Sequence, residues 1–152
     1  MSPRRLFGAL AFAEAVTWTL LITALILRST AHVEWAVGIA GGIHGFVFLA
    51  YAATALLVAI NQRWSIGVTV LAVGSAVIPY ATIATELWLA RSGRLDGAWR
   101  RQATDDPRDR GVIDRLARWF IRHPLLLIVV IAVAVAALFV VLLTLGPPGG
   151  RP

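Results

Sequence analysis

"SIGVTVLAVGSAVIPYATIATELWLA", residues 65–90, carries a single charged side chain, Glu86, and a single proline, Pro79. Wound as one helix at about 1.5 Å per residue it reaches roughly 39 Å, enough to cross a hydrocarbon core of about 30 Å. Three more apolar runs of spanning length accompany it, at about 6–27, 36–60 and 124–145. Read together, the four runs predict an all-α, polytopic transmembrane helical bundle with four spanning helices. Pro79 has no N–H and its ring crowds the preceding turn, so a kink is expected there that frees a backbone acceptor near Tyr80.

Composition agrees with that class. Hydrophobic residues make up 59% of the chain and charged residues 14%, with a mean hydropathy of +0.78, outside the balance of a soluble domain. All fourteen basic residues are Arg, which with abundant Ala, Gly and Val is the composition of a GC-rich bacterial genome. The formal charge of +6 does not read as a nucleic-acid footprint. Its arginines stand at the ends of apolar runs and in one loop, with no stacking platform or zinc spacing, so anionic lipid headgroups are the expected partner. Absence of cysteine removes disulfides, thiol nucleophiles and Cys-ligated metals. No Ser-His-Asp set, paired metal ligands or phosphate loop is present, and His32 and His123 fall in loops or at helix ends, which disfavours haem. No enzyme activity, metal or cofactor is expected. "MSPRRLF" at the start resembles a signal peptide, but the run behind it is too long, contains Glu14 and lacks a cleavage site; it reads as a spanning helix with an arginine anchor.

The links between runs are short except for one. Residues 1–91 form a three-helix transmembrane core. Residues 92–123 form an Arg-rich charged loop, 124–145 an appended fourth helix, and 146–152 a short Gly/Pro tail. Within the loop, "RRQATDDPRDRG" has no apolar period and is expected to be poorly ordered. Its end, about 112–122, sets Val112, Ile113, Leu116, Trp119 and Phe120 on one helical face and Asp114, Arg115, Arg118 and Arg122 on the other. Either this is an interfacial helix, with Arg115, Arg118, Trp119 and Arg122 at the membrane surface, or it is merely the basic flank of the last helix. Three crossings between Arg4-Arg5 and the loop put the two on opposite sides. The nine arginines of residues 91–123 then place the loop in the cytoplasm and both termini outside a multi-pass cell-membrane protein.

Inside the helices the polar residues stand out. "GIAGGIHGFVFLAY", 38–51, holds Gly38, Gly41, Gly42 and Gly45 in two small-residue rows that allow another helix, or a backbone-lined slot, to lie close. Ionisable groups in lipid are costly and default to functional candidates, here Glu14, His44 and Glu86. Helical spacing puts Thr17 and Trp18 beside Glu14, Tyr51 beside His44, and Ser75 and Thr82 beside Glu86. A polar column that includes Tyr80 is therefore geometrically possible, with a Glu14–His44 contact at its centre and Glu86 near the end away from Arg5. Against it stands the reading of His44 as a packed core histidine and of Glu86 as an interfacial side chain.

The segments "AFAEAVTW", "GGIHGFVFLAY", "QRWS" and "IPYATIATE" together resemble the YdzA-like small bacterial integral membrane proteins, over about residues 4–91. That resemblance implies a three-helix core and no assigned activity. Two functions remain: a small non-enzymatic membrane protein that packs with itself or with a larger membrane complex, or a small oligomeric transporter or proton-coupled permease using Glu14, His44 and Glu86.

Overall fold

The computed structural model describes residues 1–145; the expected tail at 146–152 lies outside them. α1 (Pro3–Ala31) and α2 (Glu34–Gln62) are long helices packed along each other. Ser2 opens α1 by accepting the Arg5 N–H at 3.3 Å. His32, at φ 55°, reverses the chain into α2. Arg63 closes α2 in the same left-handed conformation, at φ 54°.

The third apolar run does not make one helix. α3 (Ile66–Gly74) continues as a 3₁₀ turn over Ser75–Val77 and stops, and α4 (Ala81–Arg91) begins after Tyr80. A residue before proline is driven out of the helical region, and Ile78 is extended at φ −107°, ψ 126°. Tyr80 then takes a left-handed φ of 64°. With that, a kink becomes a reversal. Going up, Tyr51 donates to the Ala72 carbonyl and Trp18 to the Ala76 carbonyl. Coming back, Thr82 donates to the Ala11 carbonyl, Glu86 lies against Gly8, and Trp64 donates to the Arg94 carbonyl. α4 therefore runs antiparallel to α1 and returns to the end of the bundle where α3 began.

The all-α helical bundle is as expected, with the third apolar run divided into two shorter helices. Three helices, α1, α2 and α6 (Pro124–Leu145), are long and apolar enough to cross a membrane, and α3 with α4 form a re-entrant hairpin. The N-terminus is not placed opposite the long loop as expected, because Trp99 donates to the Met1 carbonyl at 2.8 Å and so holds the loop against the start of α1. Lipid would not tolerate a broken helix with bare backbone. Here Ile78 N–H bonds Ser75 O, Ala81 N–H bonds Ile78 O, Pro79 has no donor, and the Ala76 carbonyl is taken by Trp18.

The hairpin closes a core of Phe7, Ala11, Tyr51, Ala55, Val58, Ala72, Ala76, Leu89 and Leu95. The Phe7 ring meets those of Tyr51 at 5.4 Å and Trp64 at 5.8 Å. The outer faces stay apolar and uncovered, Phe12, Leu20, Ile39 and Val133 among them, as a lipid-facing surface requires. α5 (Val112–Arg122) leads through His123 directly into α6. α6 leans on the glycine face of α2, where a Cβ at Gly45 would lie 3.3 Å from the Phe139 ring and one at Gly42 3.8 Å. Gly41 meets Leu21 of α1, and among the described residues no atom lies within 4 Å of a Cβ at Gly38.

Candidate functional site

Two polar groups are built by this fold, one inside the bundle and one at the end that holds the loop. In the first, α1 and α2 bring Glu14, Thr17 and His44 together. Thr17 Oγ1 donates to the Glu14 main-chain carbonyl at 3.0 Å. The same hydroxyl lies 3.1 Å from His44 Nδ1, and the imidazole tautomer sets which of the two donates. That nitrogen is 3.8 Å from Glu14 Oε2, an electrostatic contact longer than a hydrogen bond. Trp18 packs its ring 4.4 Å from the imidazole. Glu14 exposes no surface, and among the described residues neither carboxylate oxygen has a hydrogen-bond partner.

The other expected members of the column are placed differently. Tyr51 is wholly buried and spends its hydroxyl on the Ala72 carbonyl and Ser75, tying α2 to α3. Tyr80 sits exposed at the tip of the hairpin, 3.2 Å from the Thr19 hydroxyl. Glu86, expected at the far end from Arg5, is at the near end beside Gly8, because α4 folds back. It joins neither Glu14 nor His44.

The second group is where the loop was expected to be poorly ordered. Asp106 caps the 3₁₀ turn Pro107–Arg110, and Asp109, 3% exposed, accepts five hydrogen bonds. Arg63, Arg100 and Arg118 meet its Oδ1 at 2.6, 2.8 and 2.8 Å, and Thr104 N and Oγ1 meet Oδ2 at 2.7 Å each. Hydrogen bonds from Thr104, reinforced by the Arg63 guanidinium, hold the Asp109 carboxyl far below the usual carboxylate range. Asp106 is depressed likewise, chiefly by Arg108 and then by Arg63, with which it pairs directly. Arg100 also donates through Nε to the Asn61 carbonyl at 2.6 Å and through Nη2 to the Ile60 carbonyl at 2.7 Å. A cation thus caps the last carbonyls of α2, where the helix dipole favours it. Asn61 Oδ1 in turn accepts from the Arg100 main-chain N–H.

Arg118 is therefore not at the membrane surface as expected: it is buried at 7% exposure and bonded to Asp109. Arg115, Trp119 and Arg122 remain outward. This clasp around Asp109 left one trace in the sequence, the Asp-Pro start at 106–107; the contacts of Arg63 with Asp106 and Asp109, and of Arg100 with the end of α2, span dozens of residues and no local period announces them. Among the described residues no cluster of three potential metal ligands occurs.

Residues 4–91 match the family described as a domain of unknown function, DUF3817. The chain belongs to that family. The matched stretch ends at the last residue of α4, so the DUF3817 region is α1, α2 and the re-entrant hairpin, with the clasp and α6 beyond it. A Streptomyces coelicolor protein named as a membrane protein, SCO5905, is 39% identical over 105 residues. Those residues cover 68% of this chain and 12% of that protein, so the chain spans a small part of the length of the relative it matches. No solved structure matches the chain. The likeness to a protein named as a membrane protein and the three apolar helices together make this an integral membrane protein.

Proposed function

We propose that the chain is a non-enzymatic membrane module that packs into a larger membrane assembly. The carrying observation is that a 39%-identical segment occupies 12% of a much longer protein named as a membrane protein, so a module of this kind is found joined to further polypeptide. The likeness to YdzA-like small proteins over the same residues supports a unit that also occurs alone. The dry interior points the same way. Glu14 and Tyr51 expose nothing and His44 9%, as in a packed core, whereas a transport path needs them open to water. Extraction into native nanodiscs followed by mass measurement tests this. Particles well above the 16.4 kDa chain, with a stoichiometric membrane partner, are expected. A lone chain that carries protons or solute in sealed vesicles would refute the module and revive the transporter reading.

A further inference from the structure

α6 packs on α2, with Phe139 on its glycine face, and follows directly from α5, and its first half leaves a gap beside Leu6 and Leu10 of α1. The gap is an apolar cleft in two connected parts. The outer part, about 310 Å³, has Trp99, Arg101 and Ile121 at its mouth, and the inner part, about 230 Å³, ends at Phe46 and Val135. Leu6, Leu57, Leu127 and Ile128 line both. Along α6 the cleft extends from Pro124 to Val135, about 16 Å at 1.5 Å per residue. That is close to half of a hydrocarbon core of about 30 Å, the depth of one leaflet.

Charge at the mouth is of one sign. Arg101 lines the outer part, Arg122 Nε donates to the Arg101 main-chain carbonyl at 2.6 Å, and both arginines are exposed. Whereas Arg63, Arg100 and Arg118 are consumed by Asp109, neither Arg101 nor Arg122 has a carboxylate partner among the described residues. Trp99, its indole N–H on the Met1 carbonyl, stands at the mouth as aromatic residues do at membrane interfaces. We infer that the cleft between α6 and the α1–α2 pair is a binding site for one anionic phospholipid of the leaflet on the loop side, acyl chain within and headgroup on Arg101 and Arg122. An apolar slot one leaflet deep, capped by two unpaired cations, is complementary to that molecule. A zwitterionic lipid would leave the cations unneutralised, and a partner helix would need a wider groove.

The full-length protein in detergent, titrated with phosphatidylglycerol or phosphatidylcholine of matched chains and read by native mass spectrometry, tests the site. One phosphatidylglycerol is expected to bind roughly 30-fold tighter than phosphatidylcholine, two surface arginines contributing about fivefold each. Arg101→Gln with Arg122→Gln should bring the ratio close to one, and Ala132→Phe, which fills the inner part, should weaken both lipids. A phosphatidylglycerol bearing a mid-chain photoreactive group should label residues 125–135, which tests the cleft without any variant. Equal affinities, a preference that survives the double substitution, labelling elsewhere, or a second copy of the chain in place of lipid would each overturn the assignment.

Discussion

Glu14 and His44 show what a buried carboxylate demands of its neighbours. Unpaired charge in hydrocarbon costs several kcal/mol, and the one cationic or proton-bearing ring within reach of Glu14 is His44, 3.8 Å from Oε2. Glu14→Gln and His44→Gln should each destabilise the bundle, and together cost less than their sum by about 1 kcal/mol, within the range of coupled polar pairs in membranes. Denaturant titration in mixed micelles reads the cycle, and strictly additive losses would show two independent residues. The glycines separate equally well. At Gly45, where a Cβ would lie 3.3 Å from Phe139, Gly45→Leu should cost about 1–3 kcal/mol through overpacking, whereas Gly38→Ala, facing no atom of the described residues within 4 Å, should be neutral or gain up to about 1 kcal/mol in helix stability. Equal losses at the two positions in the same titration would mean that α6 does not rest on Gly45.

At the scale of elements, the clasp around Asp109 joins the end of α2 to α5 and the intervening loop. Both Asp106 and Asp109 have carboxyl pKa values depressed by folding, so their contribution is complete above the unfolded value of about 3.9 and is lost as pH falls through the lower folded values. A spin label on a cysteine placed at Ala103, in a chain with no other cysteine, should be equally restrained from pH 5 to 8 and loosen below about pH 4. Asp109→Asn should loosen it already at pH 7, and an unchanged spectrum in that variant would remove Asp109 from its central place. Of the elements, α1, α2 and α6 were legible because each is an uninterrupted apolar run whose length alone selects a spanning helix. The hairpin was not, since Pro79 in such a run reads the same for a kinked span as for a reversal. What chooses between them is the pairing of Ala76 with Trp18 and Thr82 with Ala11, contacts some 60 to 70 residues apart that no local period encodes. Glu14, His44 and their Thr17 neighbour were legible as polar exceptions in apolar helices; the clasp was hidden because charge-rich sequence gives no sign of whether its charges face water or one another.

For the whole molecule, turning one expected span into a hairpin reverses the placement of the N-terminal segment. Arg4, Arg5, Arg63 and the nine arginines between 91 and 122 now stand at one end of the bundle, with Arg28 at the other. The conflict that the sequence posed, basic residues before the first helix competing with a basic loop three crossings away, is absent from a chain with three spans. One end takes nearly all the positive charge, and the bias of basic residues toward the cytoplasm then points a single way. The end holding Met1 and the loop is expected inside and the link between α1 and α2 outside. Single cysteines at Ser2, Ala103 and Ser29 decide this in intact cells with an impermeant maleimide. Ser29 should label, while the cysteines at Ser2 and Ala103 should label only after permeabilisation. Two failures carry different meanings. If the Ser2 and Ala103 positions behave alike but label from outside, the hairpin stands and the orientation is reversed. If they label from opposite sides, residues 66–91 cross the membrane, Trp99 cannot reach Met1, and the re-entrant fold is wrong.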